Sequence, residues 1–224
     1  MTTSFNTMVT NISLELNMGT TYDAYLPRAL RNAIRGFERK LDFPYMRNQV
    51  GVGLSEGDTT ADLNDLVEVD MNQFKTIKWW RLEDDNGNFT YMNKVDPRDF
   101  ASVDSSAIPP TSYWIDLQEE LVYFDREVND DYSTTRSIAM VVESTDPDTL
   151  VAGLASHWLF DNAEEALIAA TVMNMSPRMR EPEFLMLYKT QFDDAWDDLV
   201  QHVEDFDTEN TDLKMNPFRN FGAT

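Results

Sequence analysis

With 40 acidic against 18 basic side chains in 224 residues the chain carries a formal net charge of -22, and such a surface repels nucleic acid and anionic membrane, because approaching a phosphate backbone without a basic patch releases no counterions. The absence of Cys excludes disulfides, thiolate nucleophiles and Cys-ligated zinc, and no apolar run approaches the roughly 20 residues of a membrane span. Hydrophobic content of 42% with five Trp describes a folded protein of one domain or two small ones, and an N-terminus without the basic region and apolar core of a signal peptide predicts a soluble one made and used inside a cell, or assembled there into something larger.

Phe5, Met8, Val9, Ile12 and Leu16 put a helical stripe on the first segment, with Thr3 or Ser4 as N-cap and Gly19 as stop. A second helix is predicted to run to about Lys40, with Pro27 tolerated near its start, where the first amides have no helical partner. Leu30, Ile34, Phe37 and Leu41 form its apolar stripe. Beside that stripe Arg28, Arg31, Arg35 and Arg39 recur at helical spacing, the one concentrated positive surface of the chain.

Phe43-Pro44-Tyr45 ends the helical beginning, and the pattern changes to short β-rich runs at 49–54, 66–69, 76–82, 89–94, 112–117, 120–124 and 136–142. Between the third and fourth runs Asp84-Asp85-Asn86-Gly87 predicts a hairpin, Asn-Gly supplying the positive φ angles of a tight turn. Clean alternation through Trp79-Trp80 leaves one of the two rings exposed, which suits an interface or a sheet edge. Ile108-Pro109-Pro110 cannot lie in a central strand. Gly51-Val52-Gly53 falls far short of a dinucleotide fingerprint and reads as strand or loop flexibility.

After Thr145-Asp146-Pro147-Asp148 the chain returns to helix. Residues 157–206 read as two helices joined by a break at 174–182, the first with the small residues Ala163, Ala166 and Ala170 around Leu167. The second carries Leu185, Tyr188, Phe192, Ala195, Leu199 and Val203 at three- and four-residue spacing, with Asp193, Asp194, Asp197 and Asp198 between them. Residues 207–224 are rich in Asn, Thr and Asp but keep Leu213, Met215, Phe218 and Phe221, apolar anchors of a tail expected to order against a partner.

The fold expected is therefore α+β. A bundle of about four helices comes from both chain ends, residues 1–47 plus 148–206. An antiparallel β-rich module of sandwich or barrel type is inserted at 48–147, and an extended C-terminal tail follows at 207–224.

Little in the chain points to catalysis. His157 and His202 are the only histidines, and no Gly-x-Ser-x-Gly elbow, His-Glu-x-x-His helix or Gly-rich phosphate loop occurs. Asp193, Asp194, Asp197 and Asp198 lack calcium-loop spacing and read as a solvated helix face. Acids are so abundant that any pair chosen for glycoside hydrolysis is arbitrary. No catalytic, cofactor-binding or metal site is predicted. The Arg stripe admits two readings. It pairs within the chain with acids of the last helix, or it pairs between subunits, Arg28, Arg31, Arg35 and Arg39 of one copy against an acidic face including Asp194 and Asp197 of the next. Repeated head to tail, the second contact closes a ring.

Two N-terminal helices with an aromatic-Pro stop, a β-rich insertion, and Ser156-His157-Trp158-Leu159-Phe160-Asp161-Asn162-Ala163 followed by Ala169-Ala170 form an arrangement that resembles the adaptor, or head-to-tail connector, proteins of tailed bacteriophages. It is similar also to the tubular connectors of short-tailed phages, over roughly residues 5–206. In that family a Trp-Leu-Leu segment opens the third helix, and the fourth carries a Tyr and an Ala on its buried stripe. Here Trp158-Leu159-Phe160, Tyr188 and Ala195 stand at those places, with Phe for the second Leu and His157 where many relatives have Asn.

The resemblance implies a non-enzymatic virion protein without cofactors, a dodecameric ring beneath the portal that joins the DNA-filled head to the tail. Its implied partners are the portal protein, further copies of itself, and the next tail component, whether nozzle, terminator or tail tube. Double-stranded DNA would pass through the ring at ejection without specific binding, eased by an acidic wall. Assembly in the host cytoplasm and no membrane contact follow. The competing expectations are another ring-forming tail component such as a tail terminator, an acidic hydrolase with a deep pocket, and an acidic DNA mimic.

Overall fold

The computed structural model describes residues 3–16, 24–66, 71–99, 109–145, 157–175 and 182–215, with the backbone alone for 182–184 and 206–215. The chain divides into two compact units, one formed by Met1–Tyr45 with Thr145–Thr224 and the other by Met46–Ser144. Among the described residues the first holds five helices and the second a seven-stranded sheet.

In the helical unit α1 (Phe5–Leu16) buries Phe5, Met8, Ile12 and Leu16, and the Ser4 hydroxyl accepts from the Thr7 amide at 3.2 Å, capping a helix start that lacks acidic residues. Helix α2 (Leu26–Lys40) has Pro in its first turn and Arg39 and Lys40 in its last, where cations complement the helix dipole. It buries Leu26, Ala29, Leu30, Ala33, Ile34 and Phe37, and with them one acid, Glu38.

The predicted third helix is two. Helix α3 (Trp158–Asn162) ends at Ala163, whose φ of -142° and ψ of 33° are not helical, and α4 (Glu164–Met175) starts afresh. The Asn162 side chain donates to the Trp158 carbonyl at 2.8 Å, a local bond that competes with continued helix. Glu164 and Glu165 then favour a new N-terminus. Ala166, Leu167, Ile168, Ala169, Ala170 and Val172 of α4 are all buried, so the middle of this helix is apolar around most of its circumference and is packed by α2, α3 and α5. In place of the expected bundle of about four helices the described residues form five, with α2, α3 and α5 packed on α4.

Helix α5 (Pro182–Met215) buries Tyr188, Leu199 and Val203 as its periodicity predicts. Its bounds correct the expected extended tail, because residues 207–215 continue the helix. Phe37 of α2 meets α5 through rings, 6.0 Å from Phe192 and 5.0 Å from Trp196. No helix of the described residues is long and apolar enough to cross a membrane.

The β-rich unit comprises β1 (Arg47–Gly51), β2 (Thr60–Asp62), β3 (Phe74–Glu83), β4 (Phe89–Lys94), β5 (Ser112–Asp116), β6 (Leu121–Phe124) and β7 (Ser137–Glu143) in the order β1-β7-β3-β4-β5-β6-β2. Neighbours are antiparallel except β4 and β5, which run parallel, with Asn93 opposite Ser112. This departs from the all-antiparallel expectation. Of the two expected forms the sheet is not a sandwich but a half-barrel, curled without closing. Trp80 on β3 lies 5.9 Å from Tyr113 on β5 and 5.4 Å from Phe124 on β6, contacts that skip β4 and require one sheet curled over its own core. Strand β2, only three residues long, carries no apolar alternation and was not foreseen. Of the run predicted at 66–69, Leu66 is a turn residue and the rest lies outside the described residues.

Register shifts between Phe74 and Thr76 and between Ile77 and Trp79 rephase β3 against β7. Strict alternation from Trp80 would turn Lys78 inward; the bulge buries Ile77 instead. In the β3–β4 hairpin only Gly87 takes a positive φ, of 80°. The predicted tight Asn-Gly turn is a longer loop, closed where the Gly87 amide donates to the Asp84 carbonyl at 3.0 Å. Asp84 accepts from Asn88 and Asn86, and these bonds hold its carboxyl below the usual carboxylate range.

Gly51 has a reason that its sequence context did not show. A Cβ there would sit 2.1 Å from the Thr134 carbonyl oxygen and 2.9 Å from its carbon, both backbone atoms. Gly51→Ala is expected to lower stability by about 1–3 kcal/mol. Gly53→Ala, whose nearest atom is the Thr134 methyl at 3.8 Å, is expected to stay within about 0.5 kcal/mol. Denaturant midpoints of the two variants check the contrast.

Candidate functional site

Among the described residues the outer face of α2 stands out by its charge. Of the chain's 18 Lys and Arg, Arg28, Arg31, Arg35, Arg39 and Lys40 lie on this one helix. Burying Leu30, Ile34 and Phe37 turns Arg28, Arg35 and Arg39 fully outward and leaves Arg31 half-buried. At 1.5 Å of rise per residue the four guanidiniums span about 16 Å. The Arg31 Nε donates to the Pro27 carbonyl at 3.3 Å. Among the described residues no carboxylate forms an ion pair with Arg28, Arg31, Arg35 or Arg39. Lys40 is engaged elsewhere, its Nζ lying over the rings of Trp196 at 4.9 Å and Phe192 at 5.8 Å.

Asp193, Asp194, Asp197 and Asp198 of α5 are exposed but face two ways. Asp194 and Asp198, with Gln191 and Ala195 on the same face, line an open groove of about 540 Å³ whose other wall is Glu15 of α1 and Glu164, Glu165 and Ile168 of α4. Asp197, paired with Asp194 in the sequence reading, does not line it. A shallower groove continues past Asp161 to His202. Among the described residues no group of three His, Asp or Glu is arranged to hold a metal ion. The fold therefore places a basic stripe and an acidic groove on one unit without joining them to each other among its described residues.

Neither histidine stands free. The His202 ring stacks on Trp158 at 6.0 Å. His157 caps α3, its Nδ1 accepting from the Leu159 amide at 3.2 Å. That bond places the remaining ring proton on Nε2, which lies 3.1 Å from the Thr145 hydroxyl and 3.5 Å from Glu38 Oε1. A ring in this tautomer cannot take a proton from the hydroxyl, so the trio is not an activated nucleophile.

Glu38 is masked in the sequence by the arginines around it, although it stands in phase with Leu30 and Ile34 on the buried face. Only 1% exposed, it accepts from the Tyr45 hydroxyl at 3.0 Å and from the Thr145 amide at 3.2 Å. Burial first, and then the charge of Glu38, push the Tyr45 phenol far above its ordinary range and keep it a donor.

Trp79 and Trp80 divide as alternation requires. Trp80 is sealed in the core, and Trp79 faces outward, edge-on to Tyr91 at 6.1 Å, with the Arg81 guanidinium 5.7 Å from the Trp79 ring and 4.4 Å from that of Phe89. Of the proposed docking anchors, Leu213 and Met215 fall in the last turn of α5 by backbone alone, and Phe218 and Phe221 lie outside the described residues.

No family model matches the chain, and no curated protein matches it.

Proposed function

We propose that this chain is a structural virion protein, a head-tail adaptor that assembles as a ring beneath the portal and lines the channel between the filled head and the tail. The observation that carries the reading is the stripe of Arg28, Arg31, Arg35 and Arg39, which has no carboxylate partner among the described residues of a chain with net charge -22. Concentrated positive charge on so acidic a chain calls for an acidic partner, and another copy offers one in Glu15, Glu164, Glu165, Asp194 and Asp198. A stripe and a groove on different faces make a heterologous contact, and such contacts close into rings when the rotation permits. The element order and the Trp158-Leu159-Phe160 opening support the adaptor assignment, its dodecameric size, and portal and tail partners. Net negative charge suits a wall past which DNA must slide without sticking.

The mass of the purified chain in solution, with and without isolated portal, tests the proposal. Free monomer that becomes a ring on the portal is the expected result. A small oligomer indifferent to the portal would overturn it. Another ring-forming tail component would bind only after a first protein had occupied the portal, so the order of addition separates that reading.

A further inference from the structure

Tyr45 is the last residue of the N-terminal part of the helical unit, and Thr145 is the first residue of its C-terminal part. The chain therefore leaves that unit for the β-rich one at Tyr45 and returns at Thr145. Both residues are held by one carboxylate. Tyr45 donates its hydroxyl to Glu38 Oε1 at 3.0 Å, and the Thr145 amide lies 3.2 Å from each Glu38 oxygen. The Thr145 hydroxyl donates to Oε1 as well, and His157 Nε2 stands 3.5 Å away.

The chemistry of these bonds is one-sided. A carboxylate with 1% exposure keeps its charge only if donors replace the water it has lost. Tyr45, Thr145 and His157 each arrive at Glu38 as a donor. The phenol is kept protonated by burial and by the carboxylate, the amide has no alternative, and the His157 proton is sent to Nε2 by the Leu159 bond on the other side of the ring. The site is thus matched to an acceptor with no hydrogen of its own. An amide of equal shape would turn an N–H toward a donor at one of the two oxygens.

We propose that Glu38 is a clasp, a conformational device that fixes both tethers of the β-rich unit at a single point, so that opening it releases the outgoing and returning segments together while each unit stays folded. The clasp needs α2, both crossings and the α3 cap at once. It closes only when the two ends of the chain have met in the helical unit. This inference does not depend on the adaptor reading.

Amide hydrogen exchange on the full chain tests it. Glu38→Gln is expected to speed exchange at Thr145 and in the segments 43–48 and 143–145 by about tenfold or more, with β3 and α4 exchanging as before. No change at the crossings overturns the clasp. So does equal acceleration throughout α2, α4 and the crossings, which makes Glu38 an ordinary core group. Tyr45→Phe is the gentler variant should Glu38→Gln fail to fold. It removes one donor from the outgoing segment and is expected to speed exchange at Thr145, which Tyr45 meets at the shared carboxylate. Acceleration confined to residues 43–48 would mean that the two crossings are held separately, and the proposal would fall.

Discussion

Replacing Trp80 with Ala is expected to destabilise the β-rich unit by about 3–5 kcal/mol, the usual range for emptying a buried indole site. The side chain is fully buried and packs edge-on against Tyr113 and Phe124, the contacts that hold the curled sheet over its core. Its Nε1 also donates to the buried Ser137 hydroxyl at 2.8 Å, so truncation leaves a cavity and a polar group without its donor. Chemical denaturation should show the aromatic near-ultraviolet signal lost at lower denaturant, with helical far-ultraviolet signal persisting beyond it. Trp80→Phe keeps a ring but not the N–H and should fall between. Trp79→Ala, on the outward face, should lose about 1 kcal/mol or less. A Trp80→Ala loss no larger than that of Trp79→Ala would refute the curled-core account.

Reversing Arg31 and Arg35 to Glu is expected to leave the helical spectrum of the monomer unchanged and to weaken ring formation at least about a hundredfold. Arg35 is exposed and Arg31 half-buried, and neither holds an ion pair among the described residues, so little of the monomer depends on them. Across an interface each reversal replaces attraction by repulsion, and like charges brought together there oppose association by several kcal/mol. The effect should shrink as salt is raised. The decisive arm is rescue: Glu164→Arg with Asp194→Arg, in the groove, should restore assembly of the Arg31→Glu, Arg35→Glu chain. Asp193→Arg with Asp197→Arg, on α5 but outside the groove lining, should not. Unimpaired assembly of the Arg reversal variant would remove α2 from the interface. Impaired assembly with no rescue would assign its partner to a different protein.

How far the sequence could be read depends on what kind of interaction specified each element. Periodicity found α1, α2 and the buried stripe of α5, because a helix packed on one side writes its burial as Leu199, Val203 and their like at fixed spacing. Six of the strands were legible for the corresponding reason. The break at Ala163 was not, since Leu159, Ala163, Ala166 and Ala170 are equally in phase on one straight helix; a single Asn162 side-chain bond marks the interruption. Strand β2 is specified by its partner β6 and not by its own Thr-Ala-Asp. The demand for Gly at 51 comes from Thr134, far along the chain. At the candidate site the Arg stripe was plain in the spacing, but the division of Asp194 and Asp198 from Asp197 needed the position of α4. Glu38 left a readable sign, an acid in the apolar phase of α2, which the surrounding arginines obscured.

The division of the helical unit between the two ends of the chain has a consequence for synthesis. Helix α2 is complete at Lys40, but α4, against which it packs, begins at Glu164. At 5–20 residues per second the apolar face of α2 must wait about 6–25 s on the ribosome for its partner. The β-rich unit, Met46–Ser144, is continuous and emerges whole within that interval. The nascent chain thus carries an unsatisfied amphipathic helix ahead of a unit able to fold first, and Leu30, Ile34 and Phe37 are where a chaperone would hold it.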